Sequence, residues 1–88
     1  MKLITALMFV FLLGNNSYAK DYLITDFGAI GDGKVLCTSS IQSAIDNASK
    51  EGGGRVIIPE GAFLSGTIFM KSNVEIHFKR GARLLGSI

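Results

Sequence analysis

Short apolar runs separated by turns make up the second half of the chain. They predict strands at residues 55–58, 63–64, 67–70, 74–78 and 82–85. In the clearest run, Val74, Ile76 and Phe78 alternate with Glu75 and His77, as expected of a strand with one buried face. Turns near Gly61, Ser72 and Gly81 recur at intervals of roughly ten residues, which is typical of all-β folds. This spacing fits a sandwich, a barrel or a coiled solenoid equally well.

The first half of the mature chain has a different period. Apolar residues at i, i+3, i+4 and i+7 predict one face of an amphipathic helix: Ile41, Ala44, Ile45 and Ala48. Ser39 is the predicted N-cap, with Gln42 completing a capping box. The helix should end at the glycines of residues 52–54, with Lys50 in its last turn. A first strand is predicted at residues 22–25, followed by a glycine-rich loop over residues 28–37.

The amino terminus has the pattern of a secretory signal peptide. Lys2 precedes an uncharged apolar run at residues 3–13, and Ser17-Tyr18-Ala19 provides a small-x-small cleavage site. A transmembrane anchor needs about 18 or more apolar residues, more than this run contains. We therefore expect residues 1–19 to be a leader cleaved after Ala19, export to the periplasm or the extracellular space, and no stable membrane insertion afterwards.

Composition limits what residues 20–88 can be. The whole chain has 88 residues, a formal net charge of +2 and one cysteine, so an internal disulfide is impossible. Domains below about 70–80 residues rarely stabilise themselves without disulfides, metals or oligomerisation. The weak charge shows no concentrated basic face, and nucleic acid is not an expected partner. The sequence thus predicts a truncated domain over residues 20–88.

Two segments together resemble a known family. DFGAIGDGK begins at Asp26, and GAFLSGTIFMKSNVEIHFKRGARLLGS begins at Gly61. They resemble the N-terminal portion of glycoside hydrolase family 28, the polygalacturonase-like pectin hydrolases. This resemblance implies an all-β fold: the start of a right-handed parallel β-helix with one N-terminal capping α-helix, an incomplete solenoid. The helix over residues 39–51 would cover the first coil, because the end of a solenoid otherwise exposes its interior.

The resemblance also implies an activity whose residues are missing. Family members hydrolyse galacturonosidic bonds in pectin with inversion, using carboxylates from Asn-Thr-Asp and Asp-Asp motifs. Those motifs, and the family's Gly-His-Gly and Arg-Ile-Lys motifs, do not occur in this chain. We therefore assign no catalytic, cofactor-binding or metal-binding residue, and expect the 88 residues alone to be inactive. The implied partner of the full-length protein is a pectic polysaccharide, either galacturonan or rhamnogalacturonan, and endo and exo action both stay open.

Other parallel β-helix proteins begin in a similar way. Polysaccharide lyases, sugar epimerases and tail-spike-like carbohydrate-binding modules are the alternatives, since fold does not fix function. The leader and the segment KSNVEIHFKRGARLLGS favour the hydrolase.

Several residues imitate functional motifs. Gly28 to Lys34 matches G-x-x-x-x-G-K, but Val35 stands where a phosphate-binding loop carries Ser or Thr, and the predicted helix starts too late to meet a phosphate. Asp26 and Asp32 could form a carboxylate pair, yet aspartates in glycine turns more often bind backbone amides.

Three further candidates for a functional role are better explained as structural or solvent-exposed residues. His77 should lie on the exposed face of its strand, and Cys37 lacks a neighbouring histidine or second cysteine. Lys79, Arg80 and Arg83 form a small basic cluster that could attract an acidic polysaccharide, although a solvated turn is the favoured interpretation.

Overall fold

The structure is a computed structural model that describes residues 20–86. The predicted leader, residues 1–19, lies outside the described residues and stays a prediction. The described elements are β1 (Lys20–Leu23), a 3₁₀ helix (Ile24–Phe27), β2 (Asp32–Leu36), α1 (Thr38–Lys50), β3 (Gly54–Ile58), β4 (Gly61–Ser65), β5 (Val74–Phe78) and β6 (Ala82–Gly86).

The strands form two parallel sheets that share one coiling path. One sheet has the order β1-β3-β5 and the other β2-β4-β6. Gly54 pairs with Val74, and Gly61 pairs with Ala82, so aligned positions recur after about twenty residues. Each coil therefore adds one strand to each sheet, and the described residues make three coils of a parallel β-helix. Crossovers between parallel strands are almost always right-handed, which agrees with the predicted hand.

The core lies between the two sheets and beneath the helix. Inward positions alternate along the strands, so Val56 and Ile58 of β3 and Phe63 of β4 are almost fully buried. Ile24 of the 3₁₀ helix is also fully buried in this cluster. The interior of the second coil is therefore almost completely buried.

Helix α1 covers the first coil, as the amphipathic pattern predicts. Its four apolar residues, Ile41, Ala44, Ile45 and Ala48, are fully buried. They belong to the same core cluster as Ile24 and Val56, and the helix packs on the 3₁₀ helix, β1 and β3. Burying a side chain as large as isoleucine stabilises a fold by about 1.5–3 kcal/mol. The capping role of the helix is confirmed.

The start of α1 differs from the prediction. The helix begins at Thr38, and its N-cap is Cys37, which makes no side-chain capping hydrogen bond. Ser39 therefore lies inside the first turn, and the predicted capping box with Gln42 is wrong. The physical reason is that the Gln42 amide binds the backbone of Phe69 instead. The helix ends as predicted, with Lys50 in the last turn and with Gly52 and Gly53 at positive φ.

Three boundaries in the strand pattern also differ. The predicted strand at residues 22–25 ends at Leu23 because the 3₁₀ helix takes over. The predicted loop over residues 28–37 contains β2, which pairs with β4 through an irregular, bulged register. Residues 67–70 are not a strand. Their apolar pattern suggests one, but in the described chain this segment joins neither sheet and lies against α1.

The third coil exposes positions that are buried in the second. Phe78 is aligned with Ile58, and Leu84 is aligned with Phe63. The second-coil members are 0% and 1% exposed, whereas Phe78 and Leu84 are 47% and 36% exposed. The residues share an inward direction, and within residues 20–86 no further strand stacks on β5 or β6. Burial in this fold therefore depends on the coil that follows.

Candidate functional site

Asp26 and Asp32, the two aspartates considered as a carboxylate pair, lie in different local environments. Asp26 lies on the exposed side of the 3₁₀ helix. Asp32 Oδ1 accepts hydrogen bonds from the backbone amides of Lys34, at 2.8 Å, and Val35, at 3.0 Å. Those two amides, Lys34 first, lower the pKa of the Asp32 carboxyl. Asp32 thus holds the bulge of β2 in shape, as its position in a glycine turn suggests.

The glycine-rich loop does not form a phosphate-binding loop. A phosphate site of that type needs a helix that begins at the loop lysine, so that its first amides face the ligand. Here β2 occupies Asp32–Leu36, and α1 begins only at Thr38. Gly28 ends the 3₁₀ helix with a φ of +100°, so its freedom serves a turn.

Cys37 and His77 also take structural positions. The Cys37 thiol is buried, and its Sγ lies 3.4 and 3.3 Å from the carbonyl oxygens of Ile30 and Val35, either of which can accept its single S–H proton. His77 is aligned with Ile57 on the outward side of its sheet and is partly buried. Neither residue lies in a cluster with the partners that nucleophilic or acid–base catalysis requires.

A polar stripe on α1 is the most organised arrangement of side chains in the described chain. Thr38, Gln42 and Asp46 are spaced by four residues, and each binds the segment that connects β4 to β5. Thr38 Oγ1 accepts from the Gly66 amide at 2.8 Å. Asp46 Oδ1 forms an ion pair of 2.9 Å with Lys71 Nζ. We call this set of contacts the cap clamp.

Gln42 is the centre of the cap clamp. Its Oε1 accepts from the Phe69 amide at 2.8 Å, and its Nε2 donates to the Phe69 carbonyl at 3.0 Å. The same Nε2 donates to Asp46 Oδ1 at 3.0 Å, and this bond, followed by Lys71, lowers the pKa of Asp46. One side chain therefore replaces the strand partner that the Phe69 backbone lacks, and the Phe69 side chain is left exposed. Polar residues spaced by four on a helix were the only sequence signal for this arrangement.

Two further clusters tie the first coil to its neighbours. Glu51 Oε1 accepts from Tyr22 Oη and forms a 3.3 Å ion pair with Lys20 Nζ. The Tyr22 hydrogen bond, followed by Lys20, lowers the pKa of Glu51, and it raises the pKa of Tyr22. On the outward face, Arg55 makes a two-point contact with Asp21 at 2.9 and 3.1 Å. These contacts orient β1.

The described part of the chain offers no metal site and no membrane span. Among residues 20–86, no three side chains of His, Cys, Asp or Glu come close enough together to hold a metal ion. No described helix is long and apolar enough to cross a bilayer. The prediction that this chain contributes no catalytic, cofactor or metal residue is untested by these contacts and stays a prediction.

Sequence comparison relates the chain to several polysaccharide-modifying enzymes, although no family model matches it. It is 45% identical over 64 residues to an exo-poly-α-D-galacturonosidase of Dickeya chrysanthemi, covering 73% of this chain and 10% of that protein. It is 37% identical over 67 residues to a probable polygalacturonase of Vitis vinifera, covering 73% of this chain and 14% of that protein. An alginate lyase of Azotobacter vinelandii is 45% identical over 64 residues, covering 64% and 8%. The chain thus spans about a tenth of the length of these relatives.

Solved structures give the same picture. A family 28 exopolygalacturonase of Yersinia enterocolitica matches with a TM-score of 0.75 and 44% identity, covering 81% of this chain and 12% of that one. An exopolygalacturonase of Thermotoga maritima matches with a TM-score of 0.67 and 52% identity, covering 68% of this chain and 14% of that one. A mannuronan C5-epimerase module of Azotobacter vinelandii matches with a TM-score of 0.64 and 35% identity, covering 66% of this chain and 18% of that one. The resemblance drawn from the sequence segments, and the fold that it implies, are confirmed.

Proposed function

We propose, from its homology to the family 28 polygalacturonases and to other parallel β-helix proteins, that this chain is the N-terminal part of a secreted pectin-degrading glycoside hydrolase. The complete enzyme would hydrolyse galacturonosidic bonds with inversion of configuration. In it, residues 20–88 supply the cap and the first coils, and the catalytic carboxylates come from coils outside this chain. The substrate class is galacturonan or rhamnogalacturonan.

One observation carries the choice of the hydrolase. The exopolygalacturonase structures fit this chain with higher TM-scores and higher identities than the epimerase module does. The fold alone could not favour one of these activities, because parallel β-helices carry several chemistries. The higher identity to the solved exopolygalacturonase structures than to the epimerase module therefore supports the hydrolase beyond what the architecture supports.

The packing supports the proposal that these coils belong to a longer solenoid. The inward residues Phe78 and Leu84 are partly exposed at positions whose second-coil equivalents are buried. In a solenoid each repeat is stabilised mainly by contact with its neighbours. We therefore expect isolated residues 20–88 to be poorly soluble or largely unfolded. A cooperative thermal melt of the isolated monomer would contradict this.

The activity is tested on the product of the intact gene. Incubated with polygalacturonate, it should release reducing ends, and early NMR spectra should show an inverted anomeric configuration in the product. Residues 20–88 alone serve as the matched control and should release none. Formation of unsaturated sugar ends on polygalacturonate would overturn hydrolysis in favour of elimination.

The second candidate is an enzyme acting on alginate. The alginate lyase relative is as similar in sequence as the galacturonosidase. Alginate is therefore the second substrate in the same assay. Unsaturated ends from alginate would indicate a lyase, and a changed mannuronate-to-guluronate ratio without chain cleavage would indicate an epimerase.

Export is a separate proposal. The apolar run and the Ser17-Tyr18-Ala19 site support cleavage after Ala19 and release to the periplasm or the extracellular space. N-terminal sequencing of the exported protein should begin at Lys20. Retention of residues 1–19 on the mature protein would refute this proposal without affecting the proposed activity.

A further inference from the structure

The proposed cleavage site leaves no spacer between the leader and the fold. Cleavage after Ala19 makes Lys20 the first residue of the mature protein, and Lys20 is also the first residue of β1. The 4 residues that follow the scissile bond are therefore the whole of β1, Lys20–Leu23. A peptidase must bind residues on both sides of the bond that it cuts, so the state of β1 decides whether this bond is accessible.

Pairing with β3 holds the backbone of β1 from its first residue. Lys20 is aligned with Gly54 and Leu23 with Ile57, and the two residues between them have partners in the same register. The strands approach closely where β1 begins: a Cβ on Gly54 would come within 2.7 Å of the Lys20 carbonyl oxygen and 2.8 Å of the Tyr22 ring. In the folded chain, the scissile bond is thus followed directly by paired strand.

The side chains of β1 add to this attachment. Lys20 Nζ forms an ion pair of 3.3 Å with Glu51 Oε1 and lies 5.8 Å from the centre of the Tyr22 ring. Asp21 binds Arg55 at two points, at 2.9 and 3.1 Å. Tyr22 belongs to the core cluster and is 9% exposed, and its Oη donates to Glu51. The side chains that a peptidase would contact after the bond are therefore already engaged in the fold.

A bond held in this way is cut only after β1 detaches. Folded proteins are cut mainly at exposed loop tips, and bonds elsewhere are cut from transiently opened states. When opening and closing are faster than cutting, the rate of cleavage falls in proportion to the open fraction. Detaching β1 returns Tyr22 to water and breaks the contacts of Lys20 and Asp21, so the open fraction is about a tenth or less. Folding of the first coil therefore protects the bond.

We propose that the first coil fixes the order of two events: the leader is removed before β1 pairs with β3, and a chain that folds first keeps its leader. This inference rests on the proposed export and on cleavage after Ala19, and it is independent of the proposed hydrolase activity. The order follows from the missing spacer. A flexible segment between the leader and β1 would allow a folded chain to be cut, because the residues after the bond would then lie outside the sheet.

The test follows cleavage of the precursor with all its coils by a purified signal peptidase in detergent. One sample is diluted from urea directly into the peptidase, and the other is refolded first. Because parallel sheets fold slowly, the peptidase meets the freshly diluted chain before β1 pairs. We expect the refolded precursor to be cut at least about tenfold more slowly. Equal rates would overturn the proposal.

A spacer variant shows whether the position of the bond causes the protection. Inserting Gly-Ser-Gly-Ser between Ala19 and Lys20 moves the residues after the bond out of β1 and leaves the contacts of β1 unchanged. The refolded spacer variant should be cut about as fast as the freshly diluted precursor, because its bond no longer depends on opening of the sheet. A refolded spacer variant that stays resistant would also overturn the proposal.

Two glycine substitutions test whether β1 is the protecting element. Gly54→Ala places a Cβ against the Lys20 carbonyl oxygen, whereas Gly86→Ala in β6 places one where nothing lies within 4 Å. Gly54→Ala should speed cleavage of the refolded precursor, and Gly86→Ala should leave its rate unchanged. Circular dichroism separates loosening of β1 from loss of the whole fold, and if Gly54→Ala does not fold, the spacer comparison decides. A folded Gly54→Ala precursor that is cut no faster than the Gly86→Ala precursor would contradict the role of β1.

N-terminal sequencing of the products separates this inference from the proposed export. If the freshly diluted precursor is not cut after Ala19, the export proposal fails and this inference fails with it. If the precursor is cut there equally fast in both states, the export proposal stands and only the proposed order of events fails.

Discussion

The cap clamp can be tested by replacing Gln42 with residues of similar size. Gln42→Met removes both hydrogen bonds to the Phe69 backbone while keeping the length of the side chain. Gln42→Glu keeps an acceptor for the Phe69 amide, but its ionised form cannot donate to the Phe69 carbonyl or to Asp46. The two variants therefore separate the loss of all contacts from the loss of the donor alone.

The expected size follows from the bonds that are lost. A hydrogen bond between neutral groups contributes about 0.5–1.5 kcal/mol net, so losing two costs about 1–3 kcal/mol. That energy corresponds to about a 5- to 150-fold change in a local opening equilibrium. In Gln42→Glu, the neighbouring Asp46 should raise the pKa of the introduced carboxyl. Its contribution is then present below its unfolded pKa of about 4.3 and lost as the pH rises through the raised folded value.

The assay is amide hydrogen exchange at Phe69, followed in the protein with all its coils. Gln42→Met should exchange about 5- to 150-fold faster than the unchanged protein. Gln42→Glu should exchange fast at neutral pH and regain part of its protection near pH 4, relative to the unchanged protein. Ser43→Ala, at an exposed neighbouring position, is the control and should change little. Unaltered protection of Phe69 in Gln42→Met would refute the role of the clamp.

Four other substitutions test the packing and the turns by denaturant unfolding of the same protein. Gly53→Ala should destabilise more than Gly52→Ala: both sites have positive φ, costing about 1–3 kcal/mol, but only at Gly53 does a Cβ come within 2.7 Å of the Asn73 carbonyl oxygen. Equal midpoints for this pair would show that the close approach is absent. Ile45→Ala should cost about 2–5 kcal/mol, since Ile45 is fully buried under the cap, and a negligible loss would mean that α1 is not docked. Asp32→Asn should destabilise at neutral pH, because backbone hydrogen bonds lower the pKa of Asp32 in the folded state. That difference should begin to shrink as the pH falls below the unfolded pKa of about 4 and should vanish once the pH is below the lowered folded pKa, and a pH-independent difference would contradict it.

The two ends of the described solenoid differ in a way that bears on function. The first coil is covered by α1, whose apolar face completes the core. The third coil presents partly exposed inward residues and two unpaired strand edges within the described range. Edges of this kind pair readily with other strands. Within the described residues, therefore, the covered end is the first coil and the open end is the third.

The sequence by itself determined the elements whose signal is local. A helical apolar period marked α1, because residues spaced by three and four share one helix face. Alternation marked β5, and the glycine turns near Gly61 and Gly81 bounded β3 and β6. The same patterns do not distinguish a sandwich, a barrel and a solenoid, because the alternation within a strand shows which face is buried but not which strand it pairs with. That choice came from the resemblance of two segments to a family.

Only the tertiary structure decided which apolar runs become strands and which polar residues cooperate. Residues 67–70 have a strand-like composition, yet Gln42 on a helix 27 positions earlier satisfies the Phe69 backbone and keeps it out of both sheets. The sequence predicts a loop for the glycine-rich stretch around Asp32, yet this stretch pairs with β4 and forms strand β2. Both outcomes depend on contacts between residues far apart in sequence. The energy of such contacts depends on which residues the coils bring together, so it cannot be inferred from a local sequence pattern.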